Sequence, residues 1–318
     1  MDIRVGNASA PRWYDESLER LDSFIELQTR CGATSTELVL HHGDSDEQIA
    51  RVHVLEEDWF SVFEKYRERG IICHVHAPLH PRFNLSRWLT DLKGLRADLI
   101  PVLSAVSAFA ERQGVSTVLV VHGASGDPRV CEQITAQAID WLAAESKLRS
   151  PGIDIALELR RALGPDDDRF DRGRASLASF VRSLGCSNVG ICWDLGNEWS
   201  SRADSVDPIG TQDRSFLELV RHVHLHDVEP SDGIAHHPLC LEHLPWREML
   251  RSMIGAGYDG AITMEIRYRH ALARGDPWDV LADSYCRLVT FLDEAMPATR
   301  SSTFANDERG LAQAIHAI

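Results

Sequence analysis

The chain is poor in lysine: only Lys65, Lys93 and Lys147 occur, and its arginines are scattered without forming a run. With a formal net charge of −15 it repels polyanions unless a basic patch is concentrated locally, so nucleic acid is a disfavoured partner. No apolar run approaches the roughly 20 residues a membrane span requires. The opening stretch MDIRVGNASAPRWYDESLERL lacks the charged-then-apolar pattern of an export signal. The seven cysteines are odd in number and contain no CxxC pair, which argues against a disulfide framework and for a reduced cytoplasm. A soluble cytoplasmic protein is expected. Low-complexity segments and internal domain breaks are also lacking. What is present is an ordinary globular composition, 44% apolar and 25% charged over 318 residues, enough to bury a large core.

Short apolar runs alternate with amphipathic stretches along the chain. Strands are expected at Ile3–Asn7, Thr36–His41, Ile71–Ala77, Thr117–His122, Ile153–Glu158, Val189–Asp194, His222–His226 and Ala261–Glu265. Helices are expected at Asp15–Cys31, Glu56–Arg69, Leu85–Gln113, Arg129–Leu148, Ser176–Leu184, Arg214–Val220, Pro245–Ala256 and Trp278–Glu294. Strict strand–helix alternation implies a parallel sheet, and eight repeats suggest closure into a (β/α)8 barrel, an α/β fold. Gly70, Gly114 and Gly185 stand where helices should stop. The barrel is expected to occupy residues 1–296 as one domain. The tail 297–318 follows, mobile, docked on a neighbouring subunit, or closing as a short helix over Asp307–Ile318.

Side chains alternate between lumen and helix layer along each barrel strand. Val223 and Leu225 share one direction and suit the helices, which turns His222, His224 and His226 inward. The same parity turns Cys192 and Asp194 inward, against Ile191 and Trp193. It does so for Asp154, Ala156 and Glu158, against Ile155 and Leu157, and for Thr263 and Glu265, against Ile262 and Met264. His122 follows Leu119 and Val121 as an inward residue, and His74 and His76 point together. Six strands thus end their inward rows on an ionisable residue: His76, His122, Glu158, Asp194, His224 or His226, and Glu265. One such residue alone is more often capped or solvated; six at the end where barrel active sites lie are not explained that way. Three converging carboxylates repel one another, and a divalent cation resolves the conflict. His222, deeper in its row, reads as an interior histidine with a partner. His41 and His42 receive no role, and His236-His237 lies in a loop.

These segments together resemble the xylose-isomerase-like barrel superfamily, which includes sugar isomerases and epimerases and nucleases of the endonuclease IV type. The resemblance covers roughly residues 1–296. It rests on the order and spacing of His76-Ala-Pro-Leu with Asn84-Leu85, Val121-His122-Gly123, Leu157-Glu158, Gly190-Ile-Cys-Trp-Asp194, His224-Leu-His-Asp227, His236-His237-Pro-Leu239 and Met264-Glu265. It implies one metal site made of Glu158, Asp194, His224 and Glu265, suited to Mn2+, Mg2+, Co2+ or Zn2+. Nuclease-type members add a second ion through positions matching His76 and His122. Their third site needs a histidine and an aspartate where this chain has Asn197 and Ile234, leaving only His236. Asn197 also replaces a substrate-touching histidine of the isomerases, and Cys240-Leu-Glu-His243 stands where Gly-x-Gly often follows.

The activity so implied is isomerisation or epimerisation of a sugar, polyol or inosose. Glu158 and Glu265 would transfer protons through an enediolate that the metal stabilises. His76 and His122 would bind substrate hydroxyls or a second ion. His236 and Arg267, which follows Glu265 by two, are candidate substrate contacts. The polar stretch Asn197–Asp213 could serve as a lid, and Trp13, Trp88 and Trp199 are either stacking faces or inter-helix packing. The alternatives are a two-metal phosphodiesterase of the endonuclease IV kind, lyase-type chemistry on the same scaffold, and a metal-binding partner subunit without turnover. Homo-oligomers are common in such families.

Overall fold

A computed structural model describes residues 3–9, 13, 18–39, 55–162, 167, 169–201, 214–229, 231 and 234–296. The tail 297–318, His41, His42 and most of the expected lid lie outside these residues.

Eight parallel strands close into a barrel in sequence order. They are β1 (Arg4–Ser9), β2 (Ser35–Val39), β3 (Ile72–His76), β4 (Thr117–Val121), β5 (Ile153–Glu158), β6 (Val189–Asp194), β7 (Val220–Leu225) and β8 (Ala261–Met264), with β1 pairing to β8 to complete the ring. The helices are α1 (Leu18–Arg30), α2 (Leu55–Glu68), α3 (Arg87–Thr90), α4 (Leu92–Gln113), α5 (Pro128–Arg149), α6 (Arg174–Leu184), α7 (Leu195–Ser200), α8 (Arg214–Leu217), α9 (Trp246–Gly255), α10 (Tyr268–Leu272) and α11 (Pro277–Ala295). The expected (β/α)8 barrel is therefore borne out. The single helix expected over 85–113 is broken instead. Asp91 leaves helical geometry (φ −155°, ψ 62°) and caps α4 by accepting from Gly94 N–H, so the chain restarts rather than continues. Gly70, Gly114 and Gly185 do end their helices, with φ of 73°, 69° and 64°.

Two cores follow from strand parity. Outward residues such as Val75, Leu119, Ile155, Leu157, Ile191, Trp193, Val223, Ile262 and Met264 join the helices in one continuous layer. Within it Phe63 of α2 stacks on Phe109 of α4, with ring centres 4.2 Å apart. Trp13 belongs to this layer, stacked on Phe24 and 2% exposed, and Trp199 packs against it. Trp88 sits between helices, donating to Gln137 at 3.0 Å. None of these contacts is that of a free stacking face.

Inside the barrel Val118, Val120, Ala156 and Cys192 form a separate apolar cluster contributed by β4, β5 and β6. Glu37, His74 and His222, all buried, come from β2, β3 and β7. One wall of the lumen is thus apolar and the other polar. His74 Nδ1 accepts from Val118 N–H at 3.1 Å, below the short β3–β4 pairing that begins at Val75 and Leu119. The β6–β7 register shifts between Ile191 and Cys192, after which Asp194 lies directly opposite His224.

Candidate metal centre

At the C-terminal mouth the strand-end residues converge. Glu158 closes β5, Asp194 closes β6, His224 lies one residue inside the end of β7, and Glu265 follows β8 directly. His224 Nδ1 lies 3.4 Å from Glu265 Oε2, 3.8 Å from Glu158 Oε2 and 4.0 Å from Asp194 Oδ2.

Two of these atoms carry the test of whether a cation fits. His224 Nδ1 and Glu265 Oε2 are buried and make no hydrogen bond among the described residues, meeting each other only as an ion pair at 3.4 Å. Unpartnered buried polar atoms are costly, and donors held about 2.1 Å from a shared ion lie roughly 3–3.5 Å apart. One imidazole nitrogen and three carboxylates form a donor set for a divalent cation of hard or borderline character. The residues present fit such a group.

Neighbours fix the carboxylates in place. Glu158 Oε2 meets His122 Nε2 at 2.9 Å and His76 Nε2 at 3.2 Å, while Glu158 Oε1 accepts from Asn197 Nδ2 at 3.3 Å. His76 is oriented in turn by Nδ1 donating to Ala77 O at 2.7 Å. Asp194 Oδ1 accepts from Asn197 N–H at 2.7 Å and lies 3.0 Å from His226 Nε2; Oδ2 accepts from Asn197 Nδ2 at 2.6 Å. Asp194 is also the N-cap of α7, so the start of that helix and the site share one side chain. Asn197 therefore lies in a helix, not in the lid expected from Asn197 onward. Its amide spans the two carboxylates.

His226 is buried against α7 so closely that a Cβ on Gly196 would meet its Cε1 at 2.0 Å. Its Nδ1 accepts from His236 N–H at 2.9 Å, and its Nε2 lies 3.0 Å from Asp194 Oδ1 as an ion-pair neighbour. His236 adopts a left-handed φ of 66°, rare for a non-glycine residue. That turn brings its Nδ1 to 3.4 Å from Glu265 Oε2. Arg267 stands apart at the rim. It is exposed, its backbone N–H donates to His236 O at 3.1 Å, and its guanidinium makes no ion pair among the described residues.

Sequence reading missed two partners. His226 entered only as the alternative to His224 at the end of its row, although it contacts Asp194. Glu37 was not singled out, yet its Oε2 lies 2.8 Å from His222 Nε2 and 3.0 Å from His224 Nε2. Its signal was available: inward parity and an acidic residue at the middle of a barrel strand. His222 is interior, as expected, but it is not satisfied: neither ring nitrogen makes a hydrogen bond among the described residues, and only Glu37 Oε2 lies near, at 2.8 Å.

Without a cation, imidazoles supply the balancing charge. Burial would raise the pKa of Glu158, but His122, His76 and His224 outweigh it and hold the carboxyl well below its usual range. Glu265 is lowered likewise, burial being overcome by His236 and His224. Asp194 moves the other way, raised by burial and by the charges of Glu158 and Glu265 against His226. His76, despite burial, is pushed up to about 9 by Glu158 and Glu37. His236 is pushed down to about 3, chiefly by burial.

These two histidines set opposite pH limits on the metal-free protein. His76 binds its proton more tightly folded than unfolded, so its contribution is complete below the unfolded value near 6.5 and is lost as pH rises toward about 9. His236 binds its proton less tightly when folded, so its contribution is complete above 6.5 and is lost as pH falls toward about 3. Each slope is at most about 1.4 kcal/mol per pH unit. In EDTA, the urea midpoint is predicted to be higher at pH 6.5 than at pH 5 or pH 8.5. A midpoint rising steadily across that range would contradict the assignment.

Beside His122, a cavity of about 260 Å3 opens under the loop after β3. Ala77, Leu79, Phe83, Leu99, Val121 and Leu142 line it along with Arg160.

The model of the family described as xylose isomerase-like TIM barrel matches residues 25–287. No curated protein sequence matches the chain. Solved structures share the fold. A xylose isomerase domain protein from Alicyclobacillus acidocaldarius subsp. acidocaldarius is 18% identical with a TM-score of 0.66, over 92% of this chain and 99% of that one. D-psicose 3-epimerase from Clostridium cellulolyticum H10, solved with D-tagatose, is 14% identical with a TM-score of 0.66 and the same coverage. A xylose isomerase-like TIM-barrel protein from Mycobacterium smegmatis, in complex with magnesium, is 14% identical with a TM-score of 0.58, over 93% of this chain and 97% of that one.

Proposed function

Since the chain belongs to the xylose isomerase-like TIM-barrel family, we propose that it is a divalent-metal-dependent isomerase or epimerase of a sugar, polyol or inosose. The observation that carries this reading is the buried pair His224 Nδ1 and Glu265 Oε2, 3.4 Å apart and without a hydrogen bond among the described residues, set among three carboxylates at the barrel mouth. Glu158, Asp194, His224 and Glu265 would hold the ion; Mn2+, Mg2+, Co2+ and Zn2+ all accept such donors. Bound there, it would supply Lewis acidity that polarises a substrate carbonyl and its neighbouring hydroxyl. The magnesium complex from Mycobacterium smegmatis and the D-psicose 3-epimerase fold support the reading.

The chain's own residues would do the rest. Glu158 and Glu265 rise from strands three apart around the ring, so they approach a substrate from different sides. That arrangement lets one remove a proton next to a carbonyl and the other return one to the opposite face or the next carbon. Glu158, only 5% exposed, is pinned by His76, His122 and Asn197. Glu265, with a side chain 20% exposed, is the more accessible base. His122 at 31% exposure faces the mouth and suits a substrate hydroxyl. His236 beside Glu265 and the exposed Arg267 at the rim would contact the substrate's far end.

The second reading, a two-ion phosphodiesterase, rests on His76, His122 and Glu158, whose donor atoms also cluster closely enough to share an ion. The net charge of −15 disfavours a polyanionic substrate. The seven cysteines are all free, in keeping with a reducing cytoplasm, and no helix among the described residues is long and apolar enough to cross a membrane. A homo-oligomer remains part of the proposal on family grounds.

The test is NMR of ketoses, aldoses and inososes incubated with the protein in D2O and each of the four ions. Deuterium should enter at a carbon adjacent to the carbonyl of at least one sugar. No exchange with any of them, together with hydrolysis of a phosphodiester, would transfer the assignment to the second reading.

A further inference from the structure

β2 reads Ser35-Thr-Glu-Leu-Val39. Thr36 turns outward, its hydroxyl meeting Ser9 Oγ at 2.7 Å and Asn7 O at 3.0 Å, and Leu38 joins the outer core. Glu37 must therefore enter the lumen, where it is fully buried. Around the ring β2 is separated from β7 by β1 and β8, so its side chain crosses the barrel interior to reach the histidines. One oxygen, Oε2, meets both His224 Nε2 (3.0 Å) and His222 Nε2 (2.8 Å); the other, Oε1, has no hydrogen-bond partner among the described residues.

A carboxylate in that place is expensive, because burying an ion costs several kcal/mol unless its partners compensate. The same lumen accepts apolar filler elsewhere, as Val118, Val120, Ala156 and Cys192 demonstrate. Filling space therefore does not account for an acid with an unpartnered oxygen. Its geometry relative to His224 does. Of the two ring nitrogens of His224, Nε2 points at Glu37 and Nδ1 points at the three mouth carboxylates. A proton on Nε2, shared with Glu37, leaves the Nδ1 lone pair directed into the site and fixes the ring plane. His222 Nε2, two residues earlier on the same strand, lies 2.8 Å from the same oxygen as an ion-pair neighbour.

We infer that Glu37 is a positioning residue that orients His224 for a divalent cation and, through His222, is itself held at the correct depth. The inference rests on the proposed metal site but not on the proposed reaction.

It is tested by calorimetric titration of Co2+ into the metal-free full-length protein, comparing wild type with Glu37→Gln and Glu37→Ala. Glu37→Gln keeps the volume and an acceptor oxygen, so it should fold; it should bind Co2+ about tenfold more weakly, and Glu37→Ala about a hundredfold. The visible bands of the Co2+-loaded protein should also shift in Glu37→Gln, because the imidazole is held less firmly. A purely structural role would lower the melting temperature of the metal-free variants and leave both affinity and spectrum unchanged. Affinity in folded Glu37→Gln within twofold of wild type would overturn the inference while leaving the metal site standing. Failure of the wild type to bind Co2+ would overturn both. Co2+ binding weakened by Glu37→Gln in a protein that turns over no sugar would uphold this inference and remove only the proposed reaction.

Discussion

Glu158→Gln and Glu265→Gln should each lower kcat by about 10^3-fold, within the range that positioned acid–base groups supply. Both substitutions preserve shape and remove the ability to accept a proton. They should differ in a way that identifies the roles. Glu158 sits among His76, His122 and Asn197, so its amide would be held where the carboxylate was. Glu265 is more exposed at 20% and less held by neighbours, so its amide removes the more accessible base at the same time as one donor of the metal set. If each carboxylate serves one face of the substrate, each variant should still exchange solvent deuterium into one epimer and not the other. The measurement is single-epimer exchange by NMR, with metal content determined on the same samples. A variant that carries its full complement of metal and retains a tenth or more of wild-type turnover would show that its carboxylate carries no proton.

The parts of this site that could be read from the sequence are those governed by local rules. Strand parity is a two-residue period, so the inward rows ending at Glu158, Asp194, His224 and Glu265 follow once Ile155, Trp193, Val223 and Met264 are assigned to the helix layer. Helix ends at Gly70, Gly114 and Gly185 follow from left-handed backbone that glycine adopts freely. What escaped depends on distance across the fold. Glu37 shows its role only when β2 and β7 face each other across the lumen, and its neighbours Ser35 and Thr36 are polar too, so no contrast in the strand marks it. The short helix α7 was read as part of a loop because its capping residue, Asp194, belongs to the preceding strand. Asn197 was judged by the histidine it replaces; its contacts instead make it a clamp on Asp194 and Glu158.

Loading with a preferred cation should raise the melting temperature by about 6 °C. An ion at a thousand times its dissociation constant stabilises the folded state by about 4 kcal/mol, and at about 2.1 cal/mol/K of unfolding entropy per residue each kcal/mol moves the Tm of a 318-residue chain by roughly 1.5 °C. The effect should be large here because the cation-free centre holds Glu158, Asp194 and Glu265 together on imidazole charge alone. Asp194 is left with its pKa raised, and His224 Nδ1 and Glu265 Oε2 face each other only across a 3.4 Å ion pair, with no hydrogen bond among the described residues. His224 is held well above its usual pKa, burial being outweighed by the carboxylates of Glu37 and Glu265, so it carries a proton that must leave before Nδ1 can donate to an ion. Binding should therefore release about one proton at pH 7, read as a dependence of the calorimetric heat on the buffer's ionisation enthalpy. It should also weaken as pH falls. Asp194→Ala should abolish the thermal shift, because two carboxylates and one imidazole then remain beside an open gap at the start of α7. No thermal shift with Mn2+, Mg2+, Co2+ or Zn2+ in the wild type would mean that the imidazoles alone satisfy the centre, and the metal would have to be given up.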